Sequence, residues 1–380
     1  MSHPVTAVIF EGGAPTSVVE LEMLGVRKAI CLDNIEKLVR HPDYDRVILA
    51  TNYPDLAAEA LALGAIIEDT TDWVPFHYGK ALQKIVGKYQ MGKILYFSGA
   101  SSPLLSFAEF GNIAQVLNEN EQVVYVNNVQ SADIVGWCPA DCLLKMEPPE
   151  MDNALGYQLR QQAHLPRLLM PHSSGIHFDL DTPAEILFLK LMPEISERIR
   201  IAVDRLDWNT STLESAWNVL RQKKYIPSIW MSGRIGAPVI EHLNTHLRAR
   251  LRIVSEERGM KAMNLEAEGK VSSFVAAFIQ AAGCQAFFDW VSSHSDVAFI
   301  DTRVIFAHMK IKASEHDRFN SDLGNWQIIK DPFIRDFTKA AAGASIPIML
   351  GGHTLILGGL WAMVDDIRVK RTLQRGGKEE

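Results

Sequence analysis

The chain has 380 residues, of which 47% are hydrophobic and 22% charged, proportions typical of a globular protein with a sizeable core. Lys and Arg number 38 against 45 Asp and Glu, so the formal net charge is −7. No long basic stretch offsets that charge, so nucleic acid is not the expected partner. The apolar runs are shorter than the roughly 18–20 residues of a membrane-spanning helix, and no signal-peptide pattern precedes the first strand. We expect a cytoplasmic protein of two domains that does not bind membranes.

Four cysteines in 380 residues, mostly far apart, do not form a disulfide framework. Only Cys138 and Cys142 lie close together, and no second Cys/His pair with zinc-ligand spacing follows them. We therefore expect two buried thiols there rather than a metal site.

The first half of the chain alternates short apolar strands with helical patterns. This alternation indicates βαβ units and a mainly parallel sheet covered on both faces. Ligands of such sheets bind beyond the carboxyl ends of the strands, so the polar loops at those ends are the candidate site. Strands are predicted at Ala7–Phe10, Asp45–Thr51, Ala65–Ile67, Lys93–Phe97 and Glu121–Asn127.

The pattern changes after Pro193. Residues 196–227 are charged and helical, which predicts a helical connector, and a second α/β pattern follows. The predicted division is therefore a domain over 1–195, the connector, a smaller α/β domain over 228–369 and a charged tail over 370–380. Strands of the second domain are predicted at Ile229–Met231, Arg250–Ser255, Asp296–Ile300, Val304–Phe306 and Ile346–Leu350.

Four segments of the first half carry a family resemblance: Ala7–Ala14, Leu49–Asn52, Ile94–Leu105 and Gly175–Ile186, the last of which contains Asp-Leu-Asp-Thr-Pro-Ala-Glu. Roughly residues 5–192 resemble the nucleotidyltransferases of glycosyltransferase-A type, the superfamily of molybdenum-cofactor and phospholactate guanylyltransferases and of sugar-phosphate cytidylyltransferases. The resemblance implies a three-layer, nucleotide-diphospho-sugar-transferase-like α/β domain.

The same resemblance implies site residues. Asp179 and Asp181 would be the catalytic carboxylates, with Asp179 holding Mg²⁺. The positions that would bind the nucleotide are Gly12, Gly13, Asn52, His77, Lys80, Ser98, Gly99 and Ser101.

The sequence departs from the family at two places. The first loop has no basic residue before Arg27, where the family has an Arg and a Lys for the phosphates, and the stretch Ser98–Ser101 has no carboxylate. Mg²⁺ in proteins takes one or two carboxylates together with phosphate oxygens. Either other residues rebuild the transfer chemistry, or the domain binds a nucleotide-like ligand without transferring it.

Each candidate also has a purely structural alternative. Gly12 and Gly13 fit a tight turn, and the small residues at Ser98–Ser102 fit a polar turn before the next helix. Asp181 fits the N-cap of a helix that begins at Thr182-Pro183. His77 and Lys80 fit an ordinary helix start.

The second half has polar loops at the ends of its strands. Arg side chains bind phosphate or carboxylate groups in a bidentate manner, and a Gly-Gly-His turn suits a phosphate. The alternative is that each Arg pairs with a buried carboxylate. A second anion pocket is therefore predicted from Arg234, Arg258, Arg303, Gly351, Gly352 and His353.

These observations predict a transferase that acts on a nucleotide or nucleotide-sugar with Mg²⁺. The alternative is a non-catalytic protein that binds a nucleotide or metabolite through a degenerate transferase domain. A hydrolase built on His353 and Asp301 would lack a nucleophile motif. The sequence leaves the oligomeric state open.

Overall fold

The structure is a computed structural model that describes residues 4–222, 225–261 and 263–376. The chain divides into two compact units. The first comprises the residues up to Ala14 together with Gly25–Asp179, and the second comprises Pro15–Leu24 and the residues from Leu180 onward.

The first unit is built on a seven-stranded sheet. Its helices are α1 (Val18–Arg40, whose first residues belong to the second unit), α2 (Pro54–Leu63), α3 (Tyr78–Tyr89), α4 (Phe107–Glu119), α5 (Leu155–Gln162) and α6 (Ser174–His177). Its strands are β1 (Val5–Phe10), β2 (Tyr44–Thr51), β3 (Ile66–Asp69), β4 (Lys93–Ser98), β5 (Val123–Val126), β6 (Ile134–Cys138) and β7 (Arg167–Leu169).

The sheet has the order β3-β2-β1-β4-β6-β5-β7, and only β6 runs antiparallel to its neighbours. Successive side chains of β1 enter opposite cores, because strand side chains alternate between faces. Ala7 and Ile9 belong to one buried cluster, and Val8 belongs to the other. Apolar layers on both faces make this the three-layer α/β arrangement that the sequence predicts.

The second unit has a four-stranded parallel sheet of order β11-β10-β8-β9. Its strands are β8 (Ser228–Gly233), β9 (Arg250–Ser255), β10 (Val297–Asp301) and β11 (Ile348–Gly351). Its helices are α7 (Pro183–Leu191), α8 (Glu197–Asp204), α9 (Ser211–Arg221), α10 (Ala237–His246), α11 (Phe274–Ala282), α12 (Cys284–His294), α13 (Thr302–His308), α14 (Glu315–Asp322), α15 (Pro332–Ala342) and α16 (Gly358–Gly376).

The division between the units differs from the predicted one. It falls after Asp179 rather than near residue 195, and the second unit holds the larger share of the chain. The predicted connector is part of that unit's core, because Trp217 of α9 is 1% exposed and its ring lies 6.0 Å from the ring of Phe188 in α7. Apolar helix faces that pack in this way do not form a linker.

Two local predictions also need correction. The segment Val304–Phe306 is part of α13 rather than a strand, since the Asp301 side chain accepts a hydrogen bond from Arg303 N and caps the helix. The predicted charged tail begins as a continuation of α16 to Gly376, and residues 377–380 lie outside the described residues.

Within the described residues, no single helix is long and apolar enough to cross a membrane. The pair α11 and α12 passes that test only when taken together, and the two helices are bent by 116° at their junction.

Candidate functional site

A cavity of about 530 Å³ opens at the carboxyl ends of the first strands of the seven-stranded sheet. Its walls come from the ends of β1, β2 and β4, from the segment after β3 and from the segment that precedes α5. The residues that line it are Phe10, Glu11, Gly12, Gly13, Arg27, Ala50, Asn52, Thr70, Thr71, Trp73, Val74, Phe76, Tyr78, Tyr96, Ser98, Glu150, Met151 and Asp152.

The loop after β1 is held by Asn52. Gly13 N donates a hydrogen bond to Asn52 Oδ1 at 3.0 Å, and Asn52 Nδ2 donates to Gly13 O at 3.0 Å. A Cβ on Gly12 would lie 2.6 Å from Asn52 Oδ1, and Gly13 has a φ of +140°. Gly12 is therefore required by the close approach of the Asn52 side chain, and Gly13 is required by its positive φ. The loop exposes backbone atoms to the cavity.

Glu11 and Arg27 form an ion pair in the cavity wall, with Arg27 NH2 2.8 Å from Glu11 Oε1. The Glu11 side chain is fully buried, whereas the Arg27 side chain is 37% exposed. Burial raises the pKa of the Glu11 carboxyl above its ordinary value, and the Arg27 guanidinium offsets only part of that effect. The guanidinium is thus the exposed member of the pair.

Gly99 packs against Glu11 behind the wall of the cavity. A Cβ on Gly99 would lie 2.5 Å from Glu11 Cβ and 3.0 Å from Cys31 Sγ, so no larger residue fits there without a shift. Gly99 and Ser101 are buried and do not line the cavity, whereas Ser98 does. Ser98 Oγ and Ser101 Oγ are 3.0 Å apart and share a hydrogen bond.

An aromatic cluster forms another wall. The Phe10 ring contacts Tyr78 at 5.7 Å, Tyr96 at 5.6 Å and Phe76 at 6.3 Å between centroids, all edge to face. Phe76 is 55% exposed, and Trp73 also lines the cavity. Such a wall offers ring faces to a flat ligand such as a nucleobase.

The carboxylates predicted as catalytic belong to different units. Asp179 is half-buried in the first unit and forms an isolated antiparallel bridge with Ser101 rather than a strand. Asp181 is exposed in the second unit. Asp181 is not the N-cap of α7, because Thr182 holds that position and both its N and its Oγ1 donate to Glu185 Oε2, at 2.6 and 2.8 Å.

His77 and Lys80 have the structural role. His77 is the N-cap of α3, where its Nδ1 accepts a hydrogen bond from Lys80 N at 3.4 Å. Lys80 is exposed, and neither residue lines the cavity.

The donor set does not form a complete magnesium site. No group of three or more His, Cys, Asp or Glu side chains that could hold a metal ion occurs in the part of the chain that the structure describes. Glu11 is paired with Arg27, and the stretch Ser98–Ser101 supplies no carboxylate. A Mg²⁺ ion would therefore need phosphate oxygens for most of its ligands.

The residues predicted for a second pocket lie at or after the carboxyl ends of the strands of the four-stranded sheet. Arg234 makes two hydrogen bonds to the buried Asp301. Arg303 does not join it, because its NH1 donates to Asp322 Oδ1 at 2.9 Å and its side chain lines a different cavity. For these two arginines the paired-carboxylate alternative is correct.

Sequence reasoning missed Glu11, Arg27 and the aromatic wall. Glu11 directly follows β1 and precedes Gly12, so its position at a strand end was the available signal. Arg27 lies within α1, and no local pattern shows that it reaches Glu11. The aromatic residues come from three separate segments of the chain, which only the fold brings together.

No family model and no curated protein matches the sequence. Similar solved structures match about half of the chain. A protein named as a nucleotide-diphospho-sugar transferase from Desulfovibrio desulfuricans is 12% identical with a TM-score of 0.40, and the match covers 53% of this chain and 94% of that chain. A cytidylyltransferase from Leptospira borgpetersenii is 12% identical with a TM-score of 0.39, over 53% and 93% of the two chains.

A third similar structure is CMP:2-keto-3-deoxy-manno-octonic acid synthetase complexed with CTP, which is 13% identical with a TM-score of 0.33, over 50% of this chain and all of that chain. The three-layer α/β fold predicted for the first half is confirmed by its seven-stranded sheet and by the apolar layers on both faces of that sheet. The fold alone does not specify a substrate or an activity.

Proposed function

We propose that the first unit binds a nucleotide or a nucleotide-sugar in the cavity at the carboxyl edge of its sheet, as the nucleotide site of a transferase. The observation that carries the proposal is the pairing, in one cavity of about 530 Å³, of an aromatic wall with a glycine loop held by Asn52. Parallel α/β sheets bind ligands at this edge.

Each part of a nucleotide has a matching part of the cavity. The base would stack against the aromatic residues, of which Phe76 is exposed and Phe10 and Trp73 are half-buried. The phosphates would lie near the Gly12-Gly13 backbone and the partly exposed Arg27 guanidinium, since backbone N–H groups and Arg both bind phosphate oxygens. Mg²⁺, held mainly by those phosphates, would supply the charge neutralisation that nucleotidyl or sugar transfer needs.

A second candidate function is nucleotide binding without transfer. The observation that favours it is the lack of a carboxylate in Ser98–Ser101 together with the pairing of Glu11 with Arg27. In this case the Arg27 guanidinium, rather than a metal ion, would balance the charge of the ligand.

A thermal-shift panel of nucleoside triphosphates and nucleotide-sugars, each with and without Mg²⁺, tests the proposal. A ligand present at 100 times its Kd stabilises the folded state by about 2.7 kcal/mol. A shift that requires Mg²⁺ supports the transferase, and a shift that is independent of Mg²⁺ supports binding without transfer. If no nucleotide shifts the melting temperature, the proposal is wrong.

An assay for release of pyrophosphate or of a nucleoside diphosphate from the best ligand then distinguishes the two candidate functions. Release supports the transferase, and no release supports binding without transfer. Asn52→Asp places a negative charge where the phosphates are expected, and we expect it to remove the shift. Asn112→Asp makes the same change at an exposed position of α4 that does not line the cavity, and we expect it to leave the shift intact.

A further inference from the structure

Another cavity, of about 320 Å³, lies within the second unit beside α13. One side of it is formed by α13, by the segment that follows α13 and by α14, and the other side is formed by the segment between β9 and α11. Its volume is at the lower end of the range for small-molecule sites. Nothing in the nucleotide proposal uses this cavity.

The segment opposite α13 is packed against the helix. Met260 is 1% exposed and belongs to one buried cluster with Val271 and with Val304 of α13. Backbone hydrogen bonds close turns within the segment, from Leu265 N to Met260 O and from Lys270 N to Leu265 O, both at 2.9 Å. Both sides of the cavity are therefore built structure.

Positive charge dominates the lining of this cavity. Its basic side chains are Lys261, Arg303, Lys310, Lys312 and Arg318. Glu266 is the one acidic residue among the described residues that line it, and Asp322 and Glu315 pair with Arg303 and Arg318. Five basic groups against three acidic ones leave a net charge of +2, in a chain whose formal charge is −7.

The three lysines have no counterion. Lys261, Lys310 and Lys312 are exposed, and in the part of the chain that the structure describes none of their ammonium groups forms a hydrogen bond or an ion pair. The ammonium groups of three lysines thus repel one another around the cavity without a carboxylate to balance them. A bound anion would remove that repulsion.

Lys310 has an unusual backbone conformation at the end of α13. Its φ is +56°, in the left-handed region that glycine usually occupies at helix ends. The side chain is not needed as a cap, because Lys310 N donates to Ala307 O and Ile311 N donates to Phe306 O, both at 3.0 Å. A Cβ on Gly269 would lie 3.9 Å from Lys310 Nζ, so the ammonium group reaches the opposite side of the cavity. Side chains held in this conformation cluster at functional sites.

Arg303 brings unused hydrogen-bond donors to the cavity. Its side chain is only 10% exposed. Its NH1 donates to Thr302 Oγ1 at 2.7 Å and to Asp322 Oδ1 at 2.9 Å, and its NH2 donates to Asp322 Oδ2 at 2.5 Å. A guanidinium has five N–H groups, and the remaining two, on Nε and NH2, have no acceptor among the described residues. Buried N–H groups need acceptors, and an anion in the cavity supplies them.

We infer that this cavity binds a small molecule that carries two or more phosphate or carboxylate groups. The lysine ammonium groups attract the anionic groups as point charges, and the free N–H groups of Arg303 donate to their oxygens. Met260 and Phe306, which are 1% and 3% exposed, also line the cavity. Their apolar side chains lower the local polarity and so strengthen the attraction between the anion and the cations.

Isothermal titration calorimetry with pyrophosphate, citrate and inorganic phosphate tests this site, in buffer without divalent cations and at constant ionic strength. We expect pyrophosphate or citrate to bind the wild-type protein saturably, and the tighter of the two identifies the preferred anionic group. Inorganic phosphate, with a single group, should bind more weakly. Equal Kd values for phosphate and for the tighter ligand would overturn the inference that two groups are recognised.

Lys310→Glu and Lys312→Glu each place a negative charge in the cavity, and each should raise the Kd about tenfold or more. Both positions are exposed, so neither change is expected to unfold the protein. Arg303 is not substituted, because its loss would leave the buried Asp322 without a partner. Lys330→Glu is the matched control, since Lys330 is exposed in the same unit and does not line the cavity; its Kd should match that of the wild-type protein.

Unchanged Kd values in both Lys310→Glu and Lys312→Glu would overturn the inference, as would an equal loss in Lys330→Glu or the absence of binding by pyrophosphate and citrate. Asn52→Asp lies in the first unit and should leave the Kd unchanged. Loss of binding in Asn52→Asp alone would assign the anion to the nucleotide cavity instead. The two sites therefore fail separately.

Discussion

Arg234 and Asp301 form a bidentate ion pair at the carboxyl ends of neighbouring parallel strands, with Arg234 Nε 2.6 Å from Asp301 Oδ2. The Asp301 carboxylate is buried, and burial alone would raise its pKa. The Arg234 guanidinium outweighs burial and holds the pKa of Asp301 below its ordinary value. The pair thus keeps a negative charge inside the second unit and fixes the geometry of the strand ends around it.

Breaking this pair should destabilise the protein strongly. Arg234→Gln leaves the Asp301 charge without its partner in the interior, for which we expect a loss of about 3–5 kcal/mol in the free energy of unfolding. Arg258→Gln, at an exposed position with no hydrogen bond or ion pair among the residues that the structure describes, should change it by less than about 0.5 kcal/mol. Urea denaturation measures both, and similar losses would show that Arg258 is structural.

Thr182, and not the preceding Asp181, caps the N-terminus of α7. Thr182 N and Oγ1 both donate to Glu185 Oε2 at the helix start, so Thr182→Ala should cost about 1–2 kcal/mol of unfolding free energy. Asp181→Asn, one residue earlier and exposed, should cost less than about 0.5 kcal/mol. The structural alternative for Asp181, that it caps this helix, would be restored if urea denaturation gave the reverse order.

The stability of the second unit should depend on pH through His353. Its pKa is about 4 in the folded protein and about 6.5 in an unfolded chain. The unfolded chain therefore takes up a proton first, and the stabilisation present above pH 6.5 is lost as the pH falls toward 4. Water screens part of the effect at a half-buried ring, so we expect a loss of about 2 kcal/mol.

The measurement is the free energy of unfolding between pH 7 and pH 4.5 for the wild-type protein and for His353→Gln. The variant should show a shallower decline over this range. Parallel curves would mean that the imidazole titrates alike in the folded and unfolded chains.

The aromatic wall should contribute to nucleotide affinity. Phe76→Ala removes an accessible ring from the cavity, and stacking of a base on an aromatic side chain is worth about 1–3 kcal/mol. We therefore expect the Kd of the best nucleotide to rise by about 5- to 150-fold, as measured by fluorescence titration. Phe274→Ala, at a Phe that is 73% exposed outside the cavity, should leave the Kd unchanged, and equal effects would exclude a role of the wall.

Strand patterns were predictable where apolar runs are long and end in polar loops. The strands from β1 to β5 and from β8 to β11 were located within a few residues, because buried parallel strands are almost wholly apolar. β6 and β7 were missed: β7 has only three residues, Arg167–Leu169. Val304–Phe306 looks like a strand in isolation, and its helix depends on the cap at Asp301.

The candidate sites were predictable to the level of loops but not of pairings. Gly12, Gly13, Asn52 and Ser98 do line one cavity, as their positions at strand ends indicate. The ion pairs form between residues that are separated along the sequence and brought together by the fold: Arg27 pairs with Glu11, and Arg303 pairs with Asp322. No local spacing encodes these partners. The domain boundary failed for a similar reason, since only packing shows that α8 and α9 belong to the second unit.

Equilibrium dialysis with radiolabelled nucleoside triphosphates, with and without Mg²⁺, tests whether the first cavity binds a nucleotide. We expect one nucleotide to bind the wild-type protein and Asn112→Asp at one site per chain, and to bind Asn52→Asp at least tenfold more weakly. Equal binding by Asn52→Asp and the wild-type protein, or no binding of any nucleotide by either, would contradict it.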